Sequence, residues 1–187
     1  GEWIMASQAD QYSIGKWVVH CRYGVGQITA IEDKPFYDGE NRKRSCYKVE
    51  TNNGDFWFSA DQSDNPRIRT IATPRQFRLV LKKLKKPPQH LEADKSVLKQ
   101  MITQLRTNVE LEPMVGLVRE LFARNQIKTL STDEDQALNK YTKHLTMEYA
   151  VSFEMDVRAA KSELLSMLRA SDREAGEKFF FGLGSSA

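Results

Sequence analysis

Hydrophobic and polar residues alternate along the first third of the chain and follow a helical period after Pro74. Over residues 25–32 the alternation predicts a strand with Val25, Gln27, Thr29 and Ile31 on one face and Gly26, Ile28, Ala30 and Glu32 on the other. Similar runs predict five short strands in all, at roughly 16–22, 25–33, 44–51, 55–59 and 67–72.

Glycines mark the points where these strands bend or turn. Gly24 and Gly26 stand at a bend that needs a positive φ or a close backbone approach. Asn53-Gly54 predicts a tight hairpin between two hydrophobic runs, and Asp38-Gly39 predicts a second turn.

The helical part begins at Thr73-Pro74, which predicts an N-cap followed by proline at the first helical position. The apolar stripe of this first helix is Phe77, Val80, Leu81 and Leu84. Further helices are predicted near 92–107, from Pro113, from a capping box that begins at Ser131, and after Asp156.

These elements predict an α+β protein of two domains. Residues 13–72 are expected to form a small SH3/Tudor-like five-stranded β-barrel, and residues 73–175 an all-α bundle of about five helices. Residues 1–12 are expected to be a disordered N-terminus or a cloning remnant, with Met5 as the natural start. Residues 176–187 are expected to be a C-terminal tail.

Charge is distributed unevenly along the 187 residues, although the net charge is only +3. The segment 66–86, called the basic segment below, holds eight basic residues and no acidic one. Such a concentration indicates a surface that contacts phosphate groups, and the alternative is a solvated helix face.

Several classes of function lack support in the sequence. No apolar run approaches the roughly 20 residues of a membrane span, and no signal peptide is apparent, so a cytoplasmic protein is expected. Cys21 and Cys46 are expected to be reduced thiols, although a disulfide between them is open. We expect neither a metal nor a cofactor, because CxxC pairs and Walker-type loops are missing from the sequence.

Catalysis is not expected either. The three histidines, His20, His90 and His144, are far apart in the sequence. Cys21 follows His20 directly, but adjacent strand residues point to opposite faces and do not meet. The chain is therefore predicted to be a binding protein rather than an enzyme.

Two segments resemble one family. Gly15, Val18-Val19, Gly24 and Gly26 are similar to the RNA-polymerase-interacting domain shared by CarD, its CdnL relatives and transcription-repair coupling factors. Residues 118–125, then Leu130-Ser131, Glu134 and Leu138, resemble the helical domain of CarD-like proteins. The resemblance covers about 13–170, with the segments in the family's order.

The resemblance implies a bacterial transcription regulator that binds the β subunit of RNA polymerase through an exposed strand edge of the barrel and affects the promoter open complex. An edge strand can bind a partner strand through its unpaired backbone groups. Trp57 is expected on the surface, opposite to Phe56 and Phe58. The candidate polymerase-binding residues are Lys34, Tyr47, Lys48, Trp57 and Ser59.

The resemblance also implies contact with promoter DNA, here through the phosphate backbone. Family members place a tryptophan and arginines after the position of Pro87-Pro88, whereas this chain has Gln89-His90-Leu91-Glu92-Ala93-Asp94-Lys95. Two further departures are Trp57 for a frequent arginine and Ser59 for a frequent proline. The candidate DNA-binding residues are Arg75, Arg78, Lys82, Lys83, Lys85, Lys86, His90 and Lys95.

Two alternatives stay open at this point. The chain is a protein-binding adaptor that docks on polymerase without touching DNA, or it is an unrelated Tudor-like nucleic-acid-binding protein with a helical dimerisation domain. Salt-dependent DNA binding through the basic segment distinguishes a CarD-type regulator from the adaptor, and binding to free nucleic acid as tight as to polymerase favours the Tudor-like protein.

Overall fold

A computed structural model of the protein describes residues 11–35, 42–61, 64–86, 88 and 95–182, with the backbone alone at residue 85 and over 172–182. It has an α+β fold with one five-stranded antiparallel sheet and five α-helices. The chain divides into two compact units, Gly1–Ile71 and Ala72–Ala187. The sheet and the helices confirm the predicted α+β class with five strands and five helices.

The strands of the first unit are β1 (Trp17–His20), β2 (Gly24–Pro35), β3 (Lys43–Thr51), β4 (Gly54–Ser59) and β5 (Ile68–Thr70). They lie in the order β4-β3-β2-β1-β5, so β4 and β5 form the two ends of an open sheet. The predicted turn at Asp38-Gly39 lies outside the described residues.

One face of this sheet, called the inner face below, carries the core of the first unit. Val18, Ile28, Val49, Phe56 and Phe58 are buried there together. Tyr12 belongs to the same core, with its ring 5.1 Å from the ring of Phe58. Its assignment to a disordered N-terminus was therefore wrong, because an aromatic residue before the first strand gains stability by covering the end of the core.

The two glycines of the bend serve different purposes. Gly24 has a φ of +77°, which side chains disfavour. At Gly26 a Cβ atom would stand only 2.6 Å from Thr51 Cγ2 and 2.8 Å from the backbone oxygen of Glu50. Gly26 therefore lets β2 and β3 approach each other where any side chain would clash.

Strand β2 contains a β-bulge, and this corrects the predicted alternation. Ile28 pairs with Val49 but Ala30 pairs with Lys48, so Thr29 is an additional residue. The predicted faces were wrong beyond Thr29: Glu32 does not share the inner face with Ile28. It lies on the opposite, outer face.

The hairpin between β3 and β4 forms as predicted, but its loop is one residue earlier. Thr51 pairs with Gly54, which makes Asn52 and Asn53 the loop residues. The Thr51 hydroxyl accepts a hydrogen bond from the backbone N–H of Asn53 at 3.0 Å and closes the turn. Gly54 has a φ of +119° and so starts β4 in a conformation suited to glycine.

The helices of the second unit are α1 (Pro74–Leu81), α2 (Lys95–Leu105), α3 (Leu111–Ile127), α4 (Thr132–Ser152) and α5 (Val157–Gly182). A 3-10 helix, Lys82–Lys85, continues α1. Both predicted caps are present: Thr73 forms a capping box with Gln76, and Ser131 forms one with Glu134. The start of α3 precedes Pro113 by two residues, since proline is tolerated in a first helical turn.

The core of the second unit contains most of the apolar stripe predicted for α1. Phe77, Leu81 and Leu84 are buried, whereas Val80 is half-buried. In α5, Ala160, Leu164 and Leu168 are buried, whereas Val157 is 45% exposed. Helix α5 extends into the predicted tail as far as Gly182.

Candidate interaction surfaces

Strand β4 is an edge strand with a tryptophan on its outer side. Among the residues that the structure describes, β4 is paired on one side only, with β3. Phe56 and Phe58 are buried on the inner face, and Trp57 between them is 41% exposed on the outer face. Trp57 is thus placed where the period of two predicts it, beside backbone groups available to a partner strand.

Trp57 is held by residues from two other strands. Its indole N–H donates a hydrogen bond to Glu32 Oε2 on β2, with Nε1 2.9 Å from the oxygen. The ammonium group of Lys34, also on β2, lies 4.2 Å from the ring centroid, and that of Lys48 on β3 lies 6.0 Å away. These four residues, Glu32, Lys34, Lys48 and Trp57, are called the Trp57 cluster below.

The charges of the Trp57 cluster are paired within the sheet. Lys34 lies 3.6 Å from Glu32, and Lys48 lies 3.6 Å from Glu50 and 3.8 Å from Asp55. Exposed pairs of this kind contribute little to the free energy of unfolding, so their main effect is to restrain the side chains around the ring. The surface offers a partly covered aromatic ring bordered by charges of both signs.

Two other candidate polymerase-binding residues are placed differently. Tyr47 lies on the inner face, where its hydroxyl donates a hydrogen bond to the Tyr12 carbonyl at 3.1 Å. Ser59 shares the outer face with Trp57 but is only 5% exposed, and its hydroxyl accepts from the Asp61 N–H at 3.3 Å. The structure therefore brings Lys34, Lys48 and Trp57 together and leaves Tyr47 and Ser59 out of the exposed cluster.

Sequence reasoning missed Glu32 as a member of this surface. Its partner Trp57 is two strands away, and the strict alternation of β2 placed Glu32 on the inner face. The only local signal is that Glu32 stands two residues before Lys34, so the two side chains share one face of the strand. This spacing does not locate the bulge and so does not show which face they share.

The basic segment places exposed cations on α1 and on the 3-10 helix. Arg75 and Arg78 are exposed because the buried stripe of α1 faces the opposite way. Lys82 at the start of the 3-10 helix and Lys86 just after it are exposed as well. The Arg78 guanidinium lies 5.6 Å from the ring of Phe153, which limits its freedom. Arg75, Lys82 and Lys86 are therefore stronger candidates for phosphate contact than Arg78.

Lys83 is engaged within the second unit. Its ammonium group pairs with the carboxylate of Glu112 at the start of α3. The Lys83 carbonyl accepts a hydrogen bond from Arg119 Nη1 at 2.8 Å. A phosphate group would have to compete with Glu112 for Lys83, so this lysine is a weaker candidate for DNA contact than Lys82.

The remaining DNA-binding candidates are not gathered with these. Lys95 is exposed at the first residue of α2. His90 and the side chain of Lys85 lie outside the part of the chain that the structure describes.

The histidine and the cysteines that were considered for catalysis occupy structural positions. Nδ1 of His20 accepts the backbone N–H groups of Arg22 and Tyr23, at 3.0 and 3.3 Å, and so closes the turn after β1. Cys21 and Cys46 are both buried free thiols, and burial raises the pKa of Cys46. Across the described ranges, metal-ligating side chains do not assemble into groups of three or more.

A buried ion pair in the helical unit joins Arg124 to Glu134, and the sequence did not predict this pairing. Arg124, 2% exposed, lies with its Nε 3.3 Å from Glu134 Oε1, while Oε2 of Glu134 accepts the Ser131 N–H. Glu134 therefore caps α4 and also ties its start to α3. The signal for this was the capping box, which located the carboxylate but not its arginine partner.

Comparison with protein-family models finds no model that matches the chain, and no curated protein matches it. None of the helices in the described part of the chain is both long and apolar enough to cross a lipid bilayer.

Proposed function

We propose that this protein is a bacterial, cytoplasmic transcription regulator of the CarD type that is not an enzyme. It docks on the β subunit of RNA polymerase through strand β4 and contacts promoter DNA through the phosphate backbone. The observation that carries the proposal is the combination of an open strand edge with the exposed Trp57 beside it.

Strand addition explains why an edge of this kind would bind a protein. Main-chain hydrogen bonds to β4 supply affinity, and side chains that flank the edge supply selectivity. The Trp57 ring is the largest exposed apolar group on this sheet, and aromatic residues of this kind are frequent binding hot spots. On this view the five-stranded sheet is the SH3/Tudor-like barrel that the resemblance implies.

The DNA contact is assigned to the exposed cations of the basic segment. Arg75, Lys82 and Lys86 provide sequence-independent contacts with phosphate groups, so the protein depends on polymerase for its position on the promoter. Residues 89–95 contain no counterpart of the tryptophan that CarD-like proteins carry after the position of Pro87-Pro88, so the proposal gives no role to such a residue.

One observation favours a second candidate, the adaptor that docks on polymerase without DNA contact. Glu112 pairs with Lys83, which removes part of the positive charge that the sequence places in the basic segment. An adaptor would bind the polymerase lobe as tightly as a regulator does but would leave the open complex unchanged.

The test of docking is a titration of the full chain against the isolated lobe of the polymerase β subunit. Trp57→Ala is expected to weaken binding by more than about tenfold, the loss typical of a tryptophan hot spot. The matched control is Ile31→Ala, which removes an exposed apolar side chain from the opposite side of the same sheet. Equal affinities for wild type and Trp57→Ala would contradict docking through β4.

A further inference from the structure

The Trp57 ring lies across the outer face of the sheet rather than beside it. Strand β4 is separated from β2 by β3, so the strands that carry Trp57 and Glu32 lie about 9–10 Å apart. The 2.9 Å hydrogen bond between Nε1 and Glu32 Oε2 requires the indole to extend over β3. The ring is therefore directed inward from the edge of β4, towards the middle of the sheet.

We infer that Glu32 is a positioning residue that holds the Trp57 indole over the sheet and thereby keeps the edge of β4 open for a partner strand. The inference rests on the proposed function and deepens it. A strand added to β4 would lie about 4.8 Å from it on the side away from β3. A tryptophan on β4 that was free to rotate would cover that position in some of its rotamers.

The β-bulge in β2 makes this arrangement possible. Thr29 is the extra residue, and the pairs beyond it place Glu32 and Lys34 on the outer face. Without the extra residue both side chains would share the inner face with Ile28, out of reach of Trp57. The bulge thus places the Glu32 carboxylate on the same face as the indole that it binds.

Lys34 also restrains the Trp57 ring. Its ammonium group is 3.6 Å from the Glu32 carboxylate and 4.2 Å from the centre of the indole, so it contacts both partners. The cation restrains the carboxylate and also attracts the ring face. Trp57 is therefore fixed at its N–H and at one face.

The position of the Trp57 ring determines which of its atoms a partner can contact. The indole N–H is already satisfied within the chain, so the exposed part of Trp57 offers hydrocarbon surface without an open donor. The partner strand is expected to place an apolar or aromatic side chain against the ring, because a polar group there would lose water without gaining a hydrogen bond.

The first test measures the solvent exchange of the Trp57 indole N–H by ¹⁵N NMR on the full chain, with the signal assigned by its loss in Trp57→Phe. Glu32→Ala is expected to speed exchange several-fold, and Glu32→Gln, which keeps an acceptor oxygen, less so. Glu50→Ala is the matched control, since it removes an outer-face carboxylate that pairs with Lys48. Unchanged exchange in Glu32→Ala would overturn the positioning role.

The second test titrates the same variants against the polymerase β lobe. Glu32→Ala is expected to weaken binding about fivefold in the wild-type background and to have little effect in Trp57→Ala, because the carboxylate acts through the ring. Tight binding of both Trp57→Ala and Glu32→Ala would overturn the inference and the docking through β4, while binding to polymerase as such would stand. No binding by the wild type would overturn the proposed function and the docking role of Glu32, and the indole exchange would still decide whether Glu32 holds the ring.

Discussion

The carboxylate of Glu148 accepts a hydrogen bond from the backbone N–H of Ala72, with Oε2 2.8 Å from the nitrogen. Ser152, one turn further along α4, donates its hydroxyl to the Ala72 carbonyl at 2.6 Å. Helix α4 therefore binds both backbone polar groups of Ala72, which precedes the N-cap of α1. Glu148 is fully buried, so it acts inside the helical unit and not at its surface.

Removal of this carboxylate is expected to destabilise the helical unit. Glu148→Ala leaves the buried N–H of Ala72 without its acceptor, at a cost of about 2 kcal/mol in the free energy of unfolding. The measurement is urea unfolding followed by helical circular dichroism. Lys143→Ala is the control, because Lys143 is exposed on the same helix. Equal losses in both variants would contradict a specific role for Glu148.

Two glycine substitutions are expected to have opposite effects. Gly26→Ala forces a Cβ against the Glu50 backbone and should cost about 2 kcal/mol or more. Gly116→Ala, inside α3 and with nothing within 4 Å of its added Cβ, should stabilise the protein by up to about 1 kcal/mol. Thermal unfolding can follow the sheet by tryptophan fluorescence and the helices by circular dichroism. A stable Gly26→Ala variant would contradict the close approach of β2 and β3.

Alkaline pH is expected to destabilise the helical unit through Tyr149. Burial and the hydrogen bond from its hydroxyl to Glu163 raise the pKa of Tyr149 from its ordinary 10.0 to about 12. A raised pKa in the folded state means that this contribution is fully present below pH 10 and is lost as the pH rises towards 12.

Tyr149→Phe removes this titration and the hydrogen bond to Glu163. It is expected to cost about 1 kcal/mol at pH 8, and the cost should shrink as the pH rises above 10. Unfolding by urea at several pH values measures the difference between wild type and variant. A difference that stays constant up to pH 11.5 would contradict the assignment.

DNA binding is expected to depend on three exposed cations. Exchange of Arg75, Lys82 and Lys86 for alanine should lower the slope of log affinity against log salt by about 2.7, if each contacts one phosphate. Lys83→Ala should change the slope less, because Lys83 pairs with Glu112. Fluorescence anisotropy with duplex DNA at several salt concentrations measures both. An unchanged slope in the triple variant would remove DNA contact from the basic segment and favour the adaptor.

Local patterns predicted the elements well because each is specified by neighbouring residues. The period of two placed Trp57 opposite to Phe56 and Phe58, and Ser131 with Glu134 marked the start of α4. Thr73 with Pro74 likewise fixed the start of α1. In each case the side chains that decide the structure lie within a few residues of one another.

The candidate site was predicted only in part because it depends on distant contacts. The bulge at Thr29 is set by how β2 fits β3, and the sequence of β2 alone did not locate it. Glu32 was missed for that reason, and Tyr47 was selected although its hydroxyl binds the Tyr12 carbonyl. The engagement of Lys83 by Glu112, 29 residues along the chain, is a tertiary contact of the same kind.

The lifetime of the promoter open complex tests the proposed function most directly. It is measured with the RNA polymerase of the same organism, at a saturating concentration of the protein and in its absence. The account predicts that wild type changes the lifetime, that Trp57→Ala abolishes this effect at the same concentration, and that the Arg75, Lys82 and Lys86 triple variant reduces it. An identical lifetime with and without the wild-type protein, under conditions in which it binds the polymerase, would contradict the account.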